Sequence, residues 1–241
     1  MRQLLKSSQF AVGLVAAFRK IRPDVAAWRG CRARKKIIAA YLAGTTVRKL
    51  QIGCGKNPLE GWLNADLNPR SPAVIYLNAT APFPFSDASF DFIFTEHMIE
   101  HIPFAAGQQM LRECRRILKP GGKIRVSTPN LKNVATLVQE PRTPEKENYV
   151  RTVTEKYIPE NKNLLPGFVL NNFYWDFGHY FVYDPETLPF ALASAGFDGV
   201  EAGRTGVSAS PELCGLEHHA QAVGTKLDEF ETMIFEAARP A

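Results

Sequence analysis

The period of apolar and polar positions changes near residue 46. Before it, apolar residues fall in two bursts separated by basic residues; after it, short apolar runs alternate with turn residues and amphipathic stretches. The first burst, Phe10–Phe18, predicts a short core-facing or interfacial helix, too brief to span a membrane and lacking a small-residue cleavage site. Pro23 ends it, and a second helix is predicted from about Val25 to Leu42, with Gly44 as its stop signal. The runs Val47–Ile52, Trp62–Leu67, Ala73–Leu77, Phe90–Thr95, Lys123–Ser127, Phe197–Ala202 and Thr232–Ala237 predict strands. Met110, Leu111, Cys114, Ile117 and Leu118 recur at helical spacing and predict a helix over Phe104–Leu118. A further helix, Pro185–Ala195, has Asp184 as N-cap and Gly196 as its stop. Strands alternating with helices predict a parallel sheet covered on both faces.

Residues 131–180 interrupt that alternation. They are rich in Asn, Pro, Tyr and Phe and end in the run NNFYWDFGHY. A long segment of this kind within a compact domain reads as a substrate-binding insert or lid. The organisation is therefore a basic helical arm over 1–46 and a main domain over 47–241 that contains the insert.

Composition is that of an ordinary globular chain, with 45% hydrophobic and 22% charged residues in 241. Charge adds something the pattern does not. Residues 1–49 carry 12 Lys/Arg against Asp24 alone, a net +11, whereas the remainder is net −6, giving the overall +5. The basic character belongs to the arm, which suits an anionic partner or a solvated helix pair at a domain edge. Contact of residues 1–44 with the inner face of a membrane is one form of this. The four cysteines are widely spaced, with no C-x-x-C pair, which argues against zinc or disulfides and for a reducing, cytoplasmic setting.

The first strand runs directly into Gly53-Cys54-Gly55. One glycine permits a sharp bend, and the next lets the backbone approach a ligand with no Cβ in the way. Asp66, at the end of the second strand, can accept both hydroxyls of a ribose, or it can simply cap a turn. The third glycine of a dinucleotide fingerprint is replaced by Pro58, and no helix is predicted directly after the turn. A nucleoside ligand without pyrophosphate fits better.

The segments LQIGCGKN (50–57), GWLNADLNP (61–69), LNATAPFPFSDASFDFIFTEHMIEHI (77–102) and LRECRRILKPGGKIRVSTPN (111–130) carry a resemblance. The chain resembles the bacterial class I methyltransferases of the "type 11" kind that use S-adenosylmethionine (SAM), in the branch found with polysaccharide and glycoconjugate genes. The likeness is strong over about 47–128 and looser over 179–238. It implies a Rossmann-like, doubly wound α/β sheet of seven strands in the order 3-2-1-4-5-7-6, with the last strand antiparallel. It implies SAM as cofactor, with Gly53, Cys54 and Gly55 under the methionine part and Asp66 on the ribose. Leu67 would lie beside the adenine, Asn78 and Ala79 would flank it, and Glu96 and His97 would line the methyl end. Gln51 belongs to the same set. Gln51 and Asn78 stand where the family often has acids, so this pocket keeps hydrogen-bonding capacity but drops charge.

Methyl transfer to an alcohol requires alignment and removal of a proton. Glu96-His97-Met98-Ile99-Glu100-His101 is the richest cluster. On a helix, His97, Glu100 and His101 would share one face. They could then supply a general base, a divalent metal site or a brace for the loop after the fourth strand. His179, where the insert returns to the core, is a further base candidate, with Asp176 or Tyr183 to orient it. Phe168, Phe173, Tyr174, Trp175, Phe177, Tyr180 and Phe181 form either an acceptor wall or the core beneath the insert. The sequence thus points to O-methylation of a small-molecule or glycan acceptor with a histidine base. A nucleic-acid methyltransferase guided by the arm and a non-catalytic SAM-binding module are the alternatives.

Overall fold

The computed structural model describes residues 34–241. The expectations for Phe10–Phe18 and for a helix start at Val25 lie outside the described residues. A helix over 34–44 (α1) ends at Gly44, as the sequence predicts. Ile37, Ile38, Tyr41 and Leu42 lie on one face of it and pack against the core. The Tyr41 hydroxyl donates to the carbonyl of Lys49 and accepts from its N–H, tying the helix to the start of the sheet. No helix among the described residues is long and apolar enough to cross a membrane.

The sheet has seven strands in the expected order, β3-β2-β1-β4-β5-β7-β6. They are β1 (Lys49–Ile52), β2 (Leu63–Asp66), β3 (Ile75–Tyr76), β4 (Phe90–Glu96), β5 (Leu118–Pro129), β6 (Asp198–Gly203) and β7 (Thr232–Ala238). The first five are parallel, and β7 runs antiparallel to both β5 and β6. Leu50, Phe90, Ile93, Phe94, Ile124 and Val126 are fully buried. Each such side chain is worth about 1.5–3 kcal/mol relative to exposure. The helix α2 (Phe104–Ile117) lays Met110, Leu111, Cys114 and Ile117 on this core.

The PFPFSD run is stitched to α2. Phe83 and Phe85 are buried, with Phe85 edge-on to Phe90 at 4.9 Å. Glu113 accepts from the Phe83 N–H, and Arg116 spans Glu113, Asp87 and the Phe85 carbonyl. The Arg116 guanidinium holds the Glu113 carboxyl below its usual range.

The insert folds into α3 (Leu131–Ala135), α4 (Pro144–Tyr157) and α5 (Pro166–Asn171), the last continued by a π-turn over Asn172–Asp176. It builds a second core, with Tyr149, Val153, Val169 and Phe173 packed on Leu227 and Phe230. Leu227 and Phe230 belong to α8 (Thr225–Glu231), which follows the short helix α7 (His219–Val223). The predicted helix at Pro185 begins two residues later, as α6 (Thr187–Ser194), because Pro185 and Glu186 form a turn. Asp184 still caps it, accepting from the Thr187 N–H at 2.7 Å.

The sequence does not foretell how the face of β1 and β4 is covered. Parallel strands are usually joined by a crossover helix, yet residues 53–62 form none. Instead, the stretch between β6 and α7 returns over the sheet and buries Leu213 and Leu216 against Trp62 and Phe94. Arg125 of β5, fully buried, anchors that stretch: it pairs with Glu217 and Glu236 and donates to the carbonyls of Arg204 and Val207.

Candidate active site

The strand order reverses between β1 and β4, and a crevice outside the carboxyl ends of the strands at such a switch point is where open α/β sheets bind ligands. The glycine turn follows β1 there. Gly53 and Cys54 both donate to the Ala65 carbonyl, at 2.8 and 3.1 Å. Gly53 has φ +74°, and a Cβ on it would lie 2.5 Å from Met98 Cγ, so this glycine is required by packing. Gly55 has φ +54°, and nothing lies within 4 Å of where its Cβ would be. Its half-buried backbone leaves room there for a ligand to approach.

Asp66 accepts from the Gly55 N–H at 2.8 Å and the Asn68 N–H at 2.7 Å. A carboxylate has about four acceptor positions, so bracing the turn leaves capacity for ribose hydroxyls. Leu67 is 53% exposed beside it. Asn78 Oδ1 accepts from the N–H and hydroxyl of Thr80, and Ala79 is half-buried against the core. Gln51 is buried, with its amide spent on the Asn57 carbonyl and the Leu59 N–H; it shapes the loop from beneath. Burial pushes the Cys54 thiol up to about 11, so it is no nucleophile. Glu96 turns away from this group: one carboxylate oxygen accepts from the N–H groups of His218 and His219. With no cationic side chain hydrogen-bonded in the cradle, it suits a phosphate-free nucleoside such as SAM.

The second half of the site is a cavity of about 260 Å³ lined by His97, Glu100, His101, His179, His219 and Glu231, with Val153, Tyr157, Phe177 and Val223. The helix on which His97, Glu100 and His101 would share a face does not form. Only Ile99–His101 makes a 3₁₀ turn, and His97 precedes it at φ +44°, a strained value for a non-glycine residue. The Glu100 carboxylate, fully buried, still lies between the two imidazoles, 3.4 Å from His97 Nδ1 and 4.0 Å from His101 Nε2.

The hydrogen bonds assign the protons. Thr232 donates its hydroxyl proton to Asp228. Its oxygen, 3.0 Å from His97 Nε2, must therefore accept from that ring. His97 Nδ1 faces Glu100, so His97 is an imidazolium with both protons directed at acceptors. Burial pulls its pKa down, but the Glu100 carboxylate outweighs burial and raises it. Burial in turn pushes Glu100 up, and His97 outweighs that and lowers it. His97 thus serves as counter-charge, its ring stacked at 3.7 Å on His219.

His101 Nδ1 faces the Gly178 carbonyl at 3.2 Å, which fixes the proton on Nδ1 and leaves Nε2 a lone pair. His179 is brought beside it because Tyr180 and Phe181 donate to the Glu100 carbonyl. Its ring lies 4.9 Å from those of His101 and Phe173, burial lowers its pKa, and its buried Nδ1 has no hydrogen-bond partner. Neither suggested orienting group reaches it. Asp176 accepts from Asn172, and the Tyr183 hydroxyl is buried against Gly107. The aromatic set divides: Phe173 is buried, whereas Trp175 and Tyr180 are about three-quarters exposed, at 76% and 73%. His219 and Glu231 also line the cavity, and neither was singled out from the sequence; the Glu231 carboxylate accepts from Tyr149 at 2.7 Å.

Residues 60–126 match the methyltransferase domain family. Over that segment the chain is similar to a methyltransferase domain, and the segment lies within a seven-stranded Rossmann-like sheet. No curated protein matches the chain. Solved structures match most of the chain at low identity. A SAM-dependent methyltransferase from Archaeoglobus fulgidus is 20% identical, with 88% of this chain and 93% of that one covered and a TM-score of 0.47. A possible histamine N-methyltransferase from Thermotoga maritima is 17% identical, with coverages of 86% and 89% and a TM-score of 0.46. Haemonchus contortus phosphoethanolamine N-methyltransferase 2 in complex with SAM is 15% identical, with coverages of 86% and 53% and a TM-score of 0.45. The chain spans about half the length of the Haemonchus proteins it matches.

Proposed function

We propose that the chain transfers the methyl group of SAM to a hydroxyl of a small-molecule, glycan or glycolipid acceptor seated in the histidine-lined cavity. One observation carries this reading: the cavity begins at His97, directly after β4, next to the strand whose glycine turn forms the cofactor cradle. Gly53, Cys54 and Gly55 lie under the methionine part, Asp66 takes the ribose, and Leu67, Asn78 and Ala79 flank the adenine. Gln51 and Glu96 act at one remove, by fixing the loops.

The reaction breaks the S–CH₃ bond and forms an O–CH₃ bond, and S-adenosylhomocysteine leaves as a neutral thioether. The enzyme's main task is alignment, worth up to about 7–11 kcal/mol when reactants are held in line. Of the three candidate histidines, His97 has both nitrogens committed, so proton removal falls to His101 Nε2 or His179. The basic residues 1–44 would dock the enzyme at the cytoplasmic membrane face; flotation with anionic vesicles tests this by comparing the full chain with a form lacking residues 1–33, which keeps the core-packed α1. Calorimetry with SAM tests the cofactor assignment: absence of binding by the wild-type chain rules it out. Turnover on hydroxyl acceptors with wild-type enzyme, and its loss without loss of SAM affinity in His101→Gln, tests the rest.

A further inference from the structure

We infer that Glu100, His101 and His179 form a binding site for a divalent transition-metal ion of the zinc class. The site rests on the proposed function only in placing the acceptor beside it. One ligand atom from each residue lies within 4.8 Å of the other two. The His97, Glu100, His101 trio of the sequence reading is not such a group, because His97 is turned toward Thr232 and His219.

The hydrogen-bond accounting points to a cation. Glu100 Oε2 accepts from Thr128 at 2.9 Å, whereas Oε1, in a fully buried side chain, has no close hydrogen bond and only the longer ion-pair contact to His97 Nδ1 at 3.4 Å. His101 Nε2, 4.0 Å from that oxygen, carries a lone pair because the Gly178 carbonyl holds the other nitrogen's proton. The buried His179 Nδ1 is also without a partner. Two imidazole nitrogens and a carboxylate oxygen thus come within 4.8 Å of one another. A buried polar atom left without a partner destabilises the fold, and one cation would satisfy both nitrogens and the side of Oε1 that His97 does not reach.

The donor set suits zinc-class ions. Two imidazoles and a carboxylate form a common three-protein-ligand catalytic site with a fourth position open. Bonds of about 2.0–2.1 Å in a tetrahedron put ligand atoms about 3.4 Å apart, so binding draws the side chains inward by roughly an ångström. The carbonyl contact to His101 Nδ1 is the outer support such ligands ordinarily have. The open position faces the cavity, where a bound acceptor hydroxyl would lose its proton to solvent more readily. With the ion bound the two imidazoles would act through it; in the metal-free chain they remain the candidate bases.

The test is titration of metal-stripped, full-length protein with Co²⁺ alone, followed by its visible d–d absorption. One Co²⁺ per chain with the strong absorption of tetrahedral nitrogen and oxygen ligation is expected. His101→Gln and His179→Gln should each weaken it by more than about 100-fold, beyond the loss of an outer support, and His218→Gln should leave it unchanged. No Co²⁺ bound, or binding indifferent to both variants, overturns the site. So does binding abolished by His219→Gln and retained in His179→Gln, which moves the ion to His97, His219 and Asp228. SAM calorimetry on the same stripped protein reads the cofactor assignment separately.

Discussion

The glycine-turn cradle and the histidine-lined cavity lie side by side and are built on opposite terms. In the cradle the key hydrogen bonds are short-range in sequence: Gly55 to Asp66, Gln51 to Asn57 and Leu59, and Asn64 to Leu59. The central polar groups of that turn have protein partners, and the open space is over backbone. In the cavity the contacts join distant segments: His97 to Thr232, His101 to Gly178, and Glu96 to His218 and His219. There, side-chain atoms of Glu100, His179 and His219 are buried without hydrogen bonds. A region whose polar groups satisfy one another holds a shape. A region that leaves them unpaired keeps binding capacity in reserve and gives up stability for it.

The strongest way to break the comparison is to remove what joins the halves. Arg125 is buried between Glu217 and Glu236 and fastens the stretch that leads to His218 and His219. Arg125→Ala leaves two carboxylates without their cation and is expected to cost about 3–5 kcal/mol, read as a fall in the urea midpoint. A loss below about 1 kcal/mol would mean that the stretch is not held from β5. Next in size is Asp66→Ala. It removes the brace on the Gly55 N–H together with the ribose acceptors, so SAM affinity by calorimetry should fall more than about 100-fold, equivalent to about 2.7 kcal/mol. Unchanged affinity would reduce Asp66 to a turn cap.

The same contrast explains what was legible in the sequence. All seven strands and α2 could be read because their signals are local: apolar runs of strand length, helical spacing in Met110, Leu111, Cys114 and Ile117, and turn glycines; the strand order came from the resemblance alone. The glycine turn and Asp66 were legible for the same reason. The helix expected over His97–His101 failed because a left-handed residue at His97 redirects the chain; histidine is enriched at positive φ, but such residues are too uncommon for the sequence to mark this one. The roles of His219, Glu231 and Thr232 had no sequence signal, since each is defined by a partner brought across the fold. The helix α4 was hidden because most of its residues are polar, with burial confined to Tyr149, Val150, Val153 and Thr154.

A smaller effect sharpens the cavity's electrostatics. The His97 pKa is raised, so its share of stability is complete below the ordinary histidine value of about 6.5 and is lost as pH rises through the raised value. The Glu100 pKa is lowered, so its share is present above the usual carboxylate range and is lost as pH falls through the lowered value. Thr232→Val removes the acceptor for His97 Nε2–H. A hydrogen bond to a charged group is worth about 1.5–3 kcal/mol, so the His97 midpoint, followed by NMR of its ring protons, should drop by about one to two units. A midpoint that rises instead would show that Thr232 donates to a neutral His97.

The smallest expected change in stability separates the two kinds of aromatic residue in the insert. Phe173 and Trp175 are two residues apart in one run, but Phe173 is 1% exposed and Trp175 76%. Phe173→Ala empties part of the second core and should cost about 3–5 kcal/mol. Trp175→Ala should alter stability by no more than about 0.5 kcal/mol, because its ring is almost wholly in water. If the ring forms part of the acceptor wall, KM for the acceptor rises while SAM affinity and kcat hold, because binding remote from the reacting atoms is lost and alignment at the methyl is not. An unchanged KM would leave the exposed ring outside the acceptor site and confine recognition to the cavity below it.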